Sequence, residues 1–307
     1  TETETMINRR RFLAISAAAI AFPMASHAEA IYTWKGTALG AGATLRLAHP
    51  DAKAISARVA SEISRLEDIF SLYRKDSALS QLNRTGALQL APFELLECLS
   101  LAGAVHSASE GRFDPTIQPL WAAYAEAFAN GTSPDESALS TARTLTGWDK
   151  ITFDTSAITL RPGMALTLNG IAQGYIADRV ADMLQAEGLT NILIDTGEFR
   201  ALGTQPNGKA WPVKLAAGGE VPLATRALAT SAPLGTTFDQ AANVGHILDP
   251  RTGRPSLASW RGVTVSAKSA ALADGLSTAA CLYQTSAEIT ACLSHFQGVT
   301  LEATTAA

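Results

Sequence analysis

The chain has 307 residues, 47% of them hydrophobic and 17% charged, with a net charge of −4. That is a globular composition, long enough for one large domain or two small ones. The mildly acidic balance and an aromatic content of 7% give no electrostatic basis for binding nucleic acid. Cys98, Cys281 and Cys292 have no CxxC spacing, so they offer neither a zinc site nor a disulfide framework. At most one pair could form.

Asn8-Arg9-Arg10-Arg11-Phe12-Leu13 is a twin-arginine start, followed by an apolar run over 14–24. Ser26-His27-Ala28 and Ala28-Glu29-Ala30 both end in small-x-small cleavage patterns. Residues 1–28 therefore read as a twin-arginine export signal, with 1–5 an extension ahead of Met6. Residues 29–307 read as the exported, periplasmic domain. The apolar run is too short for a spanning helix, so no stable membrane insertion is expected once the signal is removed.

Residues 30–47 look like strand material. Asp51 is expected to cap a helix whose apolar face is Ile55, Val59, Ile63, Leu66 and Phe70, ending near Tyr73. A second helix is expected from Pro92 towards Gly111, and 129–140, rich in Gly, Ser and Pro, as a surface loop. A third helix spans 176–187 and stops at Gly188. Strands are expected at 191–195, 212–215 and 262–266, and helices at 271–283 and 286–296. Helices and strands intersperse without a regular βαβ alternation. The fold class is therefore α+β, one domain without internal repeats.

Several motifs fail. Gly203-Thr204-Gln205-Pro206-Asn207-Gly208-Lys209-Ala210 lacks the final hydroxyl of a phosphate loop, and Trp211-Pro212 follow where a helix would start; a hairpin turn is expected instead. Gly40-Ala41-Gly42 lacks the third dinucleotide glycine, and no GxSxG or HExxH occurs.

Three constellations offer chemistry. Asp274 and Thr278 stand four apart and share a helix face. A carboxylate and a hydroxyl are hard oxygen ligands that suit Mg²⁺. The alternatives are an Asp that only caps the helix and a Thr bonded to its own backbone. Residues 168–175, Leu-Asn-Gly-Ile-Ala-Gln-Gly-Tyr, lead into a helix N-terminus that favours an anionic phosphate. The same glycines equally suit a tightly packed loop. His246 precedes an Asp-Pro-x-Thr-Gly turn, where a neutral imidazole is either a proton acceptor or a hydrogen-bonded structural group.

In order, these pieces resemble the FAD:protein FMN transferases, the ApbE family. Phe70-Ser71-Leu72-Tyr73-Arg74-Lys75-Asp76-Ser77-Ala78-Leu79 with Asn83 is similar to its FSxYxxxSxLxxxN segment. Gly111-Arg112-Phe113-Asp114-Pro115-Thr116-Ile117-Gln118-Pro119-Leu120 is similar to GxFDxTxxPL, and 168–175 to L-x-x-I-A-K-G-Y. Ala229-Thr230-Ser231, then His246-Ile247-Leu248-Asp249-Pro250, then Ala273-Asp274-Gly275-Leu276-Ser277-Thr278-Ala279 complete the set.

The resemblance implies binding of FAD and Mg²⁺ and transfer of FMN to a Thr or Ser hydroxyl of a target flavoprotein, releasing AMP. It implies Asp274, Thr278 and the Gly170 carbonyl as metal ligands, with Ser277 close by in the same metal set. Tyr73, Arg112, Phe113, Asp114, Thr167, Gln173 and Leu248 would line the FAD site, and His246 would be the base. Thr167 stands where the family usually has an Asp, Gln173 where it has Lys or Glu, and Gly197-Glu198 where a double glycine is common. Splitting of FAD by water and non-catalytic FAD carriage are the competing activities. The twin-arginine character resembles the NosX-type members, which implies a membrane flavoprotein of nitrous oxide respiration as the acceptor.

Overall fold

A computed structural model describes residues 30–307 apart from positions 217 and 258. The twin-arginine stretch, the apolar run and the start of the domain at 29 lie outside the described residues. Two alternating segments, β1 (Tyr32–Ala38) and β2 (Ala41–Leu47), pair antiparallel through Leu39-Gly40, both at positive φ. Gly40 thus serves a tight hairpin turn of the type that matches strand twist.

The expected helix follows as α1 (Ala52–Phe70), and Ile55, Val59, Ile63, Leu66 and Phe70 are all buried. Burying each such side chain stabilises by about 1.5–3 kcal/mol. Two details differ from expectation. Asp51 holds the N-cap position but makes no capping bond with its side chain. The helix ends at Phe70, because Ser71 turns extended and its Oγ accepts from the backbone N–H of Tyr73 and Arg74.

Sequence periodicity missed the next short helix, α2 (Ala78–Thr85). Ser77 caps it by accepting from the Ser80 N–H, and Gly86 ends it at φ +74°. The strand β3 (Ala87–Gln89) and the helix α3 (Phe93–Ala108) follow, with Pro92 at the N-cap rather than inside the first turn. Two more helices, α4 (Gln118–Ala129) and α5 (Glu136–Thr144), were also not expected. The second overturns the surface loop expected at 129–140. Asp135 accepts from the Ala138 N–H at 2.7 Å, and Leu139 and Ala142 bury, which outweighs the polar composition.

The strands β4 (Thr152–Phe153) and β5 (Ala157–Thr159) complete a small sheet of order β3-β5-β4. The helix α6 (Ala172–Ala186) starts four residues before the expected 176 and closes through Gly188, at φ +78° as its role requires. Five strands then run as β6 (Ile192–Asp195), β7 (Phe199–Leu202), β8 (Trp211–Lys214), β9 (Glu220–Leu223) and β10 (Ala227–Ser231). The segment 203–210 does turn, with the Gly208 N–H donating to Gln205 O. It is not the hairpin expected, however, since it joins strands of different sheets.

The short pair β11 (Leu248–Asp249) and β12 (Arg254–Pro255) frames the Asp-Pro turn. The chain ends with β13 (Trp260–Ala267), α7 (Ala270–Ala280), α8 (Ser286–Leu293) and β14 (Thr300–Ala306). α7 and α8 stop three residues short of the apolar pattern. Beyond α7 the bonds tighten to three-residue turns, which still bury Tyr283.

Seven strands form the main sheet in the order β1-β2-β6-β7-β10-β13-β14, every neighbouring pair antiparallel. One face carries α1, α3, α6 and α7 over the main core; Leu193, Ala201 and Leu228 on the other pack against Trp211, Val213 and Leu223 of the β8–β9 hairpin. The α+β expectation holds. Cys98, Cys281 and Cys292 are all buried and free, so no pair forms.

The α6–α7 contact depends on Gly174. A Cβ there would stand 2.3 Å from Ala270 O and 2.7 Å from Ala271 N, all backbone. Gly174→Ala is therefore expected to destabilise by about 3 kcal/mol despite the gain in helix propensity. Urea unfolding measures this; an unchanged midpoint would mean that the helices separate freely.

Candidate active site

α7 supplies the first groups. Ser269 caps it by accepting from the Leu272 N–H, so Asp274, one turn inside, is not a cap. Asp274 is 3% exposed, and its Oδ2 accepts from the Gly174 N–H at 3.1 Å. No basic side chain among the described residues pairs with it. Burial pushes its carboxyl up to about 7, because a lone charge there would lack solvation.

Thr278 lies one turn further along the same helix face. Its Oγ1 is 3.2 Å from Ser231 Oγ at the end of β10. That bond runs to another strand, not to the helix backbone. Ser277 does bond its own helix, donating to Asp274 O, and its Oγ lies 2.7 Å from Ser231 Oγ. Ser277 is fully buried and does not wall the cavity described next.

Asp274 and Thr278 open on a cavity of about 340 Å³. The 168–171 loop passes so close that a Cβ on Gly170 would stand 3.0 Å from Thr278 Oγ1. Gln173 follows in the first turn of α6; its carbonyl accepts from Thr196 Oγ1 at 2.8 Å, and its amide packs on Gly197. Thr167 is tied down by its N–H, which donates to Pro115 O at 2.8 Å.

The 112–114 segment forms another wall. Arg112 Cζ sits over the Tyr283 ring, 4.0 Å from its centroid, and its buried Nε has no protein partner. Asp114 accepts from both the N–H and the hydroxyl of Thr116, which sets the turn leading to α4. Phe113 O meets His106 Nδ1 at 2.9 Å. Leu248 is buried and lines the cavity from β11.

His246 completes the site. Its Nδ1 lies 2.9 Å from Thr236 O, and its backbone N–H donates to the same carbonyl. A carbonyl only accepts, so Nδ1 carries the proton and Nε2 keeps its lone pair. Burial lowers the imidazole's pKa from the ordinary 6.5, which leaves it neutral at pH 7. The segment is held tightly: a Cβ on Gly245 would stand 2.2 Å from Pro233 O.

The fold thus gathers His246, Arg112, Phe113, Asp114, Thr167, Gly170, Gln173, Leu248, Asp274 and Thr278 around one space. Tyr73 is not among the lining residues, and 77% of its surface is exposed. Among the lining residues that sequence reasoning did not assign to the site are Trp121, Glu198 and Ser231. Trp121 went unseen because α4 did. Glu198 follows a β6–β7 turn and is buried, accepting from the Thr230 N–H at 3.1 Å. Burial, then the nearby Asp274, raise its carboxyl well above the usual range. Ser231 had a signal, since it ends the Ala-Thr-Ser motif.

Buried acids, hydroxyls and a neutral histidine around one cavity define a polar, enzyme-like site on an α+β scaffold. A sequence model of the ApbE family matches residues 36–300. A FAD:protein FMN transferase of Vibrio cholerae is 31% identical over 250 residues, 74% of this chain and 73% of that one. One from Klebsiella pneumoniae is 28% identical over 237 residues, 73% and 74% of the two chains. The apo crystal structure of the Pseudomonas stutzeri flavinyl transferase ApbE superposes with a TM-score of 0.77 at 25% identity, covering 90% of this chain and 95% of that one. The Thermotoga maritima ApbE protein, at 24% identity, shares the fold with a TM-score of 0.79 over 89% and 93%. The chain belongs to the ApbE family.

Proposed function

We propose that this chain transfers FMN from FAD to a Thr or Ser hydroxyl of a target flavoprotein, using a divalent cation. One observation carries the reading: His246, with Nδ1 bonded to Thr236 O and the Nε2 lone pair retained, lines the same cavity as Asp274 and Thr278. The acceptor hydroxyl loses its proton to Nε2 as its oxygen bonds the FMN-side phosphorus. The bridging P–O bond then breaks, and AMP leaves with that oxygen.

The donor set fits Mg²⁺. Asp274 is a buried carboxylate without a cationic partner, and the Thr278 hydroxyl and the 168–171 backbone lie beside it. No group of three or more His, Cys, Asp or Glu suited to a metal occurs among the described residues. A cation here would thus take its remaining ligands from water and phosphate, as Mg²⁺ habitually does. When bound, Mg²⁺ would neutralise charge building on the diphosphate. The Ser231 hydroxyl orients those of Ser277 and Thr278, and the unpartnered Arg112 Nε is a donor for the anionic substrate. The twin-arginine start supports a periplasmic site of action, and the NosX resemblance supports a nitrous-oxide-respiration flavoprotein as acceptor.

The test mixes the domain, FAD, Mg²⁺ and a candidate flavoprotein domain. The expected result is a covalently fluorescent acceptor on a denaturing gel with released AMP. AMP without labelling would mean hydrolysis by water, and neither product would leave only carriage of FAD.

A further inference from the structure

Asp178, which does not line the cavity, is held by four contacts. It sits on α6, one turn beyond Gly174. Its Oδ1 accepts from the Ala270 N–H at 2.8 Å, and its Oδ2 from the Ala271 N–H at 2.9 Å and Ser269 Oγ at 2.7 Å. Arg200 Nε lies 3.2 Å from Oδ1. These bonds fasten α6 to the N-terminus of α7, where free N–H groups and the helix dipole favour a carboxylate.

The fastening is reciprocal. Asp274 on α7 accepts from the N–H of Gly174 on α6, while Asp178 on α6 accepts from the N–H of Ala270 on α7. Residues 174 and 178 are four apart, as are 270 and 274, so the two bonds cross between the same helical turns. Gly174 lets the turns touch. Arg200 on β7, two residues beyond Glu198, adds an ion pair to Asp178 without a hydrogen bond from its Nε.

We infer that Asp178 is a positioning residue for the cation site: it sets where α7 stands along its axis, and so where Asp274 and Thr278 present their oxygens. The inference rests on the proposed cation role of Asp274. Outer groups that orient ligands cost about 10–100-fold in metal affinity when removed.

The test measures Mn²⁺ binding by electron paramagnetic resonance in the presence of FAD, alongside thermal melting. Asp178→Asn puts an amide N–H₂ against N–H donors, and is expected to weaken Mn²⁺ binding by about tenfold. Ser269→Ala removes one contact and spares the carboxylate; about a threefold loss is expected, and this variant decides the matter if Asp178→Asn does not fold. Wild-type Mn²⁺ affinity in either folded variant overturns the inference, even if melting falls, since the role would then be purely structural. Asp274→Ala separates the two failures. If it binds Mn²⁺ like the wild type, the cation lies elsewhere and the underlying reading fails. If it loses Mn²⁺ while Asp178→Asn keeps it, only the positioning role fails.

Discussion

Asp274→Ala is expected to lower FMN transfer by about three orders of magnitude, with the remainder insensitive to chelator. Cation stabilisation of charge at a transferring phosphoryl group contributes several kcal/mol, and about 4 kcal/mol corresponds to that rate. The fold should survive. The substitution removes a buried carboxyl that burial already pushes up to about 7, so the loss of its bond from Gly174 is offset by relief of an uncompensated charge. Transfer rates at graded Mg²⁺, with a thermal melt of the apo protein, check both halves. Full Mg²⁺ dependence in the variant would remove Asp274 from the ligand set.

His246→Ala is expected to lower transfer by about 10²–10⁴-fold while FAD binding stays close to wild type. The imidazole's contribution is proton removal, and the cavity keeps Arg112, Leu248 and the 168–171 loop for the substrate. The pH profile carries a signature. The base works only when neutral, and burial holds its pKa below 6.5. With Mg²⁺ saturating, so that Asp274 stays ionised on the cation, wild-type transfer therefore stays level through neutral pH and falls only as pH drops through that depressed value. The variant lacks this acid limb. Single-turnover labelling across pH 5–8, with FAD affinity from fluorescence quenching, is the measurement; wild-type labelling or an unchanged limb would dismiss His246 as the base.

Much of the site was legible because its residues sit in short motifs that, taken in order, resemble those of the ApbE family, although each alone left a structural alternative open. His246 before an Asp-Pro turn, Asp274 and Thr278 four apart, and small residues at 168–175 each announce geometry within one turn of chain. Nearly all of these residues meet at one cavity. What stayed hidden depends on distant partners. Glu198 reads as a surface acid beside a glycine, and only the packing of β7 against β10 buries it near Asp274. Trp121 is on α4, where alanines and aromatics run right around the helix and leave no polar face to mark the buried one. α5 formed within a stretch whose polar composition argued for a loop.

By itself, the sequence determined the α+β class, the α1 face, the Gly188 helix stop and the residue types needed for phosphoryl chemistry. Those properties follow from side-chain period, backbone freedom and ligand hardness, which are local. Tertiary structure alone decided which groups converge. It placed Tyr73 on the surface, took Ser277 off the cavity wall, and set the tautomer of His246 through a carbonyl ten residues away. It also crossed Asp178 and Asp274 between α6 and α7, a contact nearly a hundred residues apart in the chain. Burial and hydrogen bonding set what a titratable group does, and both are properties of neighbours that the chain brings together only on folding.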